Sequence, residues 1–475
     1  MKSSVLSVAN AVAAMLRHVA SSAAGLLVIP LVSYGLGTDA LAGWALLGTS
    51  AFVLGVADLG LSAAVQRASA RRDEGRAREL VGSALLVISI VALPLAALCR
   101  AFVLDVDLGV ASQEALGLAA WPTLAAGVVM AWGYPYRAWL LGRGELPTLA
   151  RARIAAVVVQ VVATAVGLEL APSLVTVGVA LLLSALLETG ANLRAARRRD
   201  PTLPRWPRPP DSWRTVADAL RNGSAALAIA IASLLALRLD VALVAHGGSA
   251  VAVAGYAIAA RAVDQSFTVA KQVSTALIPK LADVGTRLVA IQTGTRLLGV
   301  SVAVGMAILC GPGRPLLSLW AGEVAGAPET LTALVLLAVA ATVAASHETI
   351  ASALALGDGG GWNAATPLVI GYVVNVALSA SLVSAWGAPA VALGTVVGNL
   401  VSSALLWVRA FRSFGLAARA WTRLMSPVGL GGLASVAVAL PLTGVARDML
   451  TICAASALTL AAGAGAGLLS ARRMG

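Results

Sequence analysis

Residues 41–100 read LAGWALLGTSAFVLGVADLGLSAAVQRASARRDEGRARELVGSALLVISIVALPLAALCR. Two apolar runs, 41–65 and 80–100, flank a loop that carries Arg67, Arg71, Arg72, Arg76 and Arg78. A hydrocarbon core roughly 30 Å thick takes about 20 residues of helix to cross, so each run has the length of a membrane span. The pattern predicts two membrane helices joined by a basic connection. Lys and Arg are retained on the cytoplasmic side, which places that connection inside.

The rest of the chain divides at the same grain. Apolar runs fall at 8–33, 115–137, 153–171, 173–193, 223–245, 250–275, 296–317, 330–352, 364–386, 389–409, 427–446 and 449–471. With the first two they make about fourteen spans, an even count that puts both termini in the cytoplasm. Arg143, Arg151 and Arg153 follow the fourth span, and Arg409, Arg412, Arg419 and Arg423 the twelfth. Only Arg100, Arg314 and Arg447 mark the opposite side, where Asp39, Asp105, Asp107 and Glu169 lie. The connection Gly357, Asp358, Gly359, Gly360, Gly361 departs from the pattern, since it belongs inside yet has no basic residue.

Composition agrees with a polytopic inner-membrane protein. Apolar residues make up 59% and charged residues 12%, against roughly a quarter charged in soluble proteins. Mean hydropathy is +0.88. The net charge of +12 resides in the arginine-rich connections, which points to anionic lipid headgroups and away from nucleic acid. Cys99, Cys310 and Cys453 sit in or beside apolar runs without CxxC spacing and read as small apolar fillers. Residues 1–30 have no small-residue cleavage site and read as a retained first helix.

Residues 194–222 form the one long polar stretch, with eight arginines and five prolines between Pro201 and Pro210. Such a segment has almost no apolar area to bury, so it reads as a semi-extended cytoplasmic linker between an N-terminal lobe, 1–193, and a second lobe, 223–423, with 424–475 after it. An internal echo supports two lobes. Leu36, Gly37, Thr38, Asp39 precede Gly43, Trp44, Ala45, and Gly247, Gly248, Ser249 precede Gly255, Tyr256, Ala257. Paired halves of this kind are common in secondary transporters.

An ionisable residue inside a span costs about 2.5 to 3.5 kcal/mol, so each one kept there needs a partner or a hydrated cavity. Arg17, Arg238 and Arg261 sit inside apolar runs. Arg238 and Asp240 are two apart and cannot face each other on a helix, so at least one finds its partner elsewhere. Arg261 and Asp264 are three apart. They either pair locally or begin a polar stripe that continues through Thr268, Lys271 or Gln272, and Thr275, lining a hydrated lumen, with Ala262, Val263, Phe267, Val269, Ala270 and Val273 on the other faces.

Arg17 and His18 in the first span belong either to that lumen or to an amphipathic lead-in. Asp58, deep in the second span, reads as structural before coupling. Glu188, His347 and Glu348 lie near helix ends, where snorkelling accounts for them. Asn375 with Ser379, and Thr395 with Asn399 and Ser402, form short polar faces suited to helix packing. No GxxxxGK[ST], HExxH or GxSxG motif is present, and the three histidines form no metal-ligand cluster.

The stretch Leu36 to Ala40, Gly43, Trp44, followed by Ala57, Asp58, Leu59, Gly60, Leu61, resembles the opening of polysaccharide-repeat-unit flippases of the multidrug/oligosaccharidyl-lipid/polysaccharide (MOP) exporter superfamily. The second lobe resembles it again in Arg238, Leu239, Asp240, in Gly255 to Arg261, and in Pro279. The resemblance implies an all-α membrane protein with two six-helix lobes around a central cavity and two further C-terminal helices. It implies alternating access that carries an undecaprenyl-pyrophosphate-linked oligosaccharide to the outer leaflet.

On that basis Arg17, Arg238, Asp240, Arg261, Asp264 and Lys271 line the translocation cavity, the cations meeting a pyrophosphate or acidic sugar. His18 and Asp58 are coupling or structural residues. No cofactor or metal is expected, coupling to a H+ or Na+ gradient is, and the partners are the lipid-linked oligosaccharide, membrane lipids and a polysaccharide polymerase or export machinery. Drug and peptidoglycan-precursor exporters share this architecture and remain open. A membrane polymerase or ligase would need a substantial external loop to hold two glycan ends, and every external connection here is short. That favours transport over enzymatic function.

The topology is checked by alkaline-phosphatase and fluorescent-protein fusions at residue 207 and at the C-terminus, both of which should report cytoplasm. High phosphatase activity at either site would overturn it.

Overall fold

A computed structural model describes residues 2–106, 113–234, 239–310, 314–356 and 361–414. All regular structure among them is helical. Ten stretches are long and apolar enough to cross a membrane, so the protein is a multi-pass helical membrane protein. The thirteenth and fourteenth expected spans, the Gly357–Gly360 connection and Arg238 lie outside the described residues, as do the side chains of His18 and Lys271.

The chain forms two compact units, one of residues 1–234 with 249–251 and the other of 235–248 with 252–475. The first unit holds α1 (Lys2–Leu36), α2 (Thr38–Val53), α3 (Leu61–Ala70), α4 (Glu74–Asp105), α5 (Gln113–Gly142), α6 (Leu146–Leu170), α7 (Leu174–Arg199) and α8 (Trp213–Leu234). Several helices outrun their apolar spans. Apolarity marks the part in hydrocarbon, whereas a helix ends where its free N–H and C=O groups find caps. Asp73 is such a cap, accepting the Arg76 N–H at 3.2 Å ahead of α4.

The second expected span is broken. After α2 come a 3-10 turn at Leu54–Asp58 and two left-handed residues, Leu59 (φ 47°) and Gly60 (φ 79°), before α3 begins. Asp58 stabilises the restart: its carboxylate accepts the Ser62 N–H at 3.1 Å and the Ser62 hydroxyl at 2.7 Å. Gly60 takes its left-handed φ without the strain a side chain would bring, and it lies against Gly223 of α8.

The expected linker is not a detached spacer. Residues 200–212 lie as a strap against α4 and α5. The Tyr136 hydroxyl donates to the Pro204 carbonyl at 2.9 Å, the Arg208 N–H to the Gly82 carbonyl at 3.2 Å, and the Ser212 N–H to Glu79 at 3.2 Å. Arg78 pairs with Asp200 at 2.8 Å, and Trp206 meets Trp132 edge-on at 6.4 Å. Burial opposes charge on Asp200, but hydrogen bonds from Thr202 and Arg78 outweigh it and hold the carboxyl below the usual range. Leu203 of the strap and Val216 and Ala219 of α8 join Leu80, Leu85 and Trp139 in one apolar core. The sequence reading underestimated this segment because a few apolar residues in a polar stretch suffice when a neighbouring core accepts them.

The second unit holds α9 (Asp240–Gly247), α10 (Ala250–Ala282), α11 (Val284–Cys310), α12 (Arg314–Ala321), α13 (Pro328–Leu356), α14 (Trp362–Trp386) and α15 (Ala388–Phe414). Here α14 and α15 pack through small residues. Lipid tails are as apolar as Leu, so helices in a membrane gain from close approach more than from hydrophobic burial. A Cβ on Gly398 would stand 2.6 Å from the Gly371 carbonyl oxygen. Gly398→Ala should therefore force the pair apart at a cost of about 1 to 3 kcal/mol. Its unfolding midpoint in detergent should fall, whereas Gly305→Ala, with nothing within 4 Å of the added carbon, should leave it unchanged or raised.

Candidate functional site

Each unit encloses a polar cluster among apolar helices. In the second unit the cluster centres on Asp240, which is 2% exposed in the first turn of α9. The Tyr256 hydroxyl of α10 donates to Oδ2 at 2.9 Å, the Thr395 hydroxyl of α15 to the same oxygen at 2.8 Å, and the Asn375 amide of α14 to Oδ1 at 3.4 Å. Ser379 donates to the Asn375 amide oxygen at 3.0 Å, and both Ser379 and Thr395 reach the Val391 carbonyl, at 3.3 and 3.1 Å. These named donors to Asp240 are all neutral.

The sequence reading assigned Asn375, Ser379 and Thr395 to packing faces. The structure brings Asn375 and Thr395 to one buried carboxylate, with Ser379 holding the Asn375 amide. Gly394 makes this possible, since a Cβ there would collide with Ser379 and stand 2.9 Å from the Asn375 amide oxygen. Tyr256, the aromatic of the second echo motif, supplies the remaining donor. The sequence signal was Asp240 itself, which could not pair with Arg238 on one helix and needed donors from elsewhere.

In the first unit, Arg17 of α1, Arg153 of α6 and Glu188 of α7 meet below Tyr134 and Arg137 of α5. Arg153 pairs with Glu188 at 2.9 Å and donates through Nε to Ser21 Oγ at 2.9 Å, and Ser21 donates to the Arg17 carbonyl at 3.0 Å. Arg137, Glu188 and Arg153 all act electrostatically on Arg17, whose Nε is buried with no hydrogen-bond partner among the described residues. The Arg137 guanidinium lies 5.7 Å from the Tyr134 ring centroid, and Tyr134 senses Asp58, Glu188 and Arg153 as well as Arg137. Three arginines thus share one glutamate, and that glutamate is already bound to Arg153.

Arg153 lies in the second turn of α6, which begins at Leu146, ahead of the start expected for the fifth span. Glu188 does not snorkel but is tied to Arg153 with 14% of its side chain exposed. His347, for which snorkelling also seemed sufficient, is buried at 3%. The signals for Arg137 and Arg153 were present as single arginines beside long apolar runs, but position along the chain did not say that α5 and α6 present them to α1.

Along α10, Arg261 and Asp264 stand 3.9 Å apart, a loose pair with 25% and 31% of their side chains exposed. Thr268 donates to the Asp264 carbonyl at 2.6 Å. Ala262 and Val263 are buried, so these polar residues occupy the more open face of α10. Asp58 sits with Ser62 at the helix break. Arg17 and Asp58 belong to the first unit, and Asp240, Arg261 and Asp264 to the second.

No protein-family profile and no curated protein matches the chain. Solved structures do. The inward closed form of the lipid II flippase MurJ superposes with a TM-score of 0.65 at 12% identity, over 94% of this chain and 99% of that one. The inward-facing form of a multidrug resistance MATE transporter of the MOP superfamily gives 0.61 at 18%, over 85% and 98%. The MATE transporter VcmN of Vibrio cholerae, in its bent form, gives 0.55 at 14%, over 90% and 99%. The chain has the fold shared by the MATE transporters and the MurJ flippase.

Proposed function

We propose that this protein is a flippase for undecaprenyl-pyrophosphate-linked oligosaccharide repeat units, working by alternating access in a bacterial inner membrane with both termini in the cytoplasm, and serving exopolysaccharide, O-antigen or capsule synthesis. The observation that carries this reading is the arginine cluster of the first unit. Arg17 and Arg137 place positive charge inside apolar helices where the nearby Glu188 is already taken by Arg153. Uncompensated cations inside a membrane protein mark an anion's path. A pyrophosphate supplies the missing negative charge, and guanidinium forks match its oxygens in pairs.

A sugar headgroup cannot shed its hydration into hydrocarbon and needs such a polar interior, whereas its prenyl chain can stay in lipid. The MurJ likeness supports a lipid-linked substrate, since that protein is a lipid II flippase. A surplus of arginine argues against a cationic drug. The reading makes the protein a transporter and not an enzyme, with a polysaccharide polymerase or export machinery downstream. In a deletion strain, lipid-linked repeat units should accumulate in the inner leaflet. Accumulation of the peptidoglycan precursor instead would transfer the protein to that substrate.

The arginines divide by role. Arg17→Ala should lower polysaccharide export at normal protein abundance, and Arg17→Lys should retain more, since it keeps the charge without the fork. Arg153→Ala breaks the ion pair to Glu188 and the bond to Ser21 that tie α7 and α1 to α6, and should chiefly lower abundance, read by quantitative immunoblotting. Normal export by Arg17→Ala would overturn the substrate role.

Coupling is assigned to Asp240. Among the described residues Asp240 is held by neutral donors, and a proton or a small hard cation such as Na+ balances its charge. Asp240→Asn, nearly the same shape without the charge, should abolish gradient-dependent export while leaving the protein in the membrane. Na+ should raise the unfolding temperature of the native protein and not of this variant if Na+ is the ion. Full export by Asp240→Asn under a collapsed and an intact gradient alike would remove the coupling role.

A further inference from the structure

The turn between α3 and α4 holds more positive charge than its surroundings use. Arg67, Arg71, Arg72 and Arg76 are all exposed, and among the described residues none of them has an ion pair or a side-chain hydrogen bond. The acids nearby are engaged elsewhere. Glu74 pairs with Arg143, Asp73 caps α4 through the Arg76 N–H, and Glu79 accepts the Ser212 N–H of the strap. Even with Asp73 and Glu79 ionised, the four arginines outnumber them.

The arginines are also close together. Arg71 follows Arg67 by one helical turn, its N–H bonded to the Arg67 carbonyl at 3.1 Å, and Arg71 and Arg76 both act electrostatically on Arg67. The helix dipole explains part of this, since the C-terminal end of α3 favours Arg67 and Arg71. It does not explain Arg76, which stands in the first turn of α4, where a cation is disfavoured. The turn joins the apolar runs 41–65 and 80–100, so its arginines stand where two spans leave the bilayer, at the level of lipid headgroups. A Cβ on Gly75 would have nothing within 4 Å, which leaves room in the same turn.

We propose that this turn is a docking site for the diphosphate of a polyprenyl diphosphate lipid, holding the substrate's headgroup at the membrane surface before it enters the protein. The identity of the lipid rests on the function proposed above, through its diphosphate and not its sugars. Guanidinium forks match phosphate oxygens in pairs, and a diphosphate brings two charges on adjacent phosphorus atoms to arginines that otherwise repel one another. Cardiolipin carries its two phosphates at either end of a glycerol, and phosphatidylglycerol carries one, so neither delivers two charges as closely. The lipid anchor favours this ligand over a free nucleotide, because the turn lies flush with the ends of two spans. Arg17, by contrast, lies within α1, so the turn is a second phosphate site and not part of the first.

Native mass spectrometry of the full chain in detergent, with equal amounts of undecaprenyl diphosphate, undecaprenyl monophosphate and cardiolipin added, tests this. The native protein should retain the diphosphate in preference to the other two. Arg71→Gln, Arg72→Gln and Arg76→Gln combined should lower its retention about tenfold. The same three positions changed to Lys keep the charge and the orientation signal but lose the forks, and should lower it about threefold. Unfolding midpoints confirm folded proteins, and the Lys set decides the matter where the Gln set does not fold. Arg17→Ala should lower retention by less than the Gln set. Undiminished retention by folded turn variants, or equal retention of cardiolipin by the native protein, would overturn the docking site. Loss in Arg17→Ala with none in the turn variants would do the same while leaving the proposed function standing, whereas no diphosphate retention by the native protein would overturn both.

Discussion

Every polar group in this protein's interior must find its partner within the protein, because hydrocarbon offers none. That constraint accounts for more of the structure than any single contact. It makes each span a helix, whose backbone satisfies itself, and it governs the few ionisable side chains left between helices. Asp240 draws hydroxyls and an amide from three helices, Arg153 ties α1 and α7 to α6, and Asp58 holds the helix that restarts after Gly60.

The same constraint separates the residues that satisfy each other from those that do not. Arg153 and Glu188 satisfy each other and Ser21, so their contribution is cohesion. Arg17, beside them, retains a buried Nε with no hydrogen-bond partner among the described residues, and its nearest charges are mostly of its own sign. Two arginines of one cluster thus have different surroundings, decided by which of them the nearby Glu188 binds.

Close packing supplies what hydrophobic burial cannot. Gly371, Gly394 and Gly398 bring α14 and α15 near enough for Asn375 and Thr395 to converge on Asp240. The strap at 200–212 works differently. There the Pro-rich backbone is pinned by the Tyr136 hydroxyl and by Leu203 inserted in the apolar core.

The amino-acid sequence determined the helical membrane class, the grain of the spans and the orientation signal, because those depend on composition along the chain and on the length of a hydrocarbon core. It also singled out Asp240 and Arg17 as residues needing partners, since a charge inside an apolar run is costly wherever its neighbours lie. Only the tertiary structure decided what those partners are. Periodicity says which residues share a helix face but not which two faces meet, so the convergence of Tyr256, Asn375 and Thr395 on Asp240 and the meeting of Arg153 and Glu188 with Arg17 were beyond it. The break at Leu59 and Gly60 was likewise hidden: an apolar run reads as one span, and whether the backbone within it bends depends on the helix it must pack against.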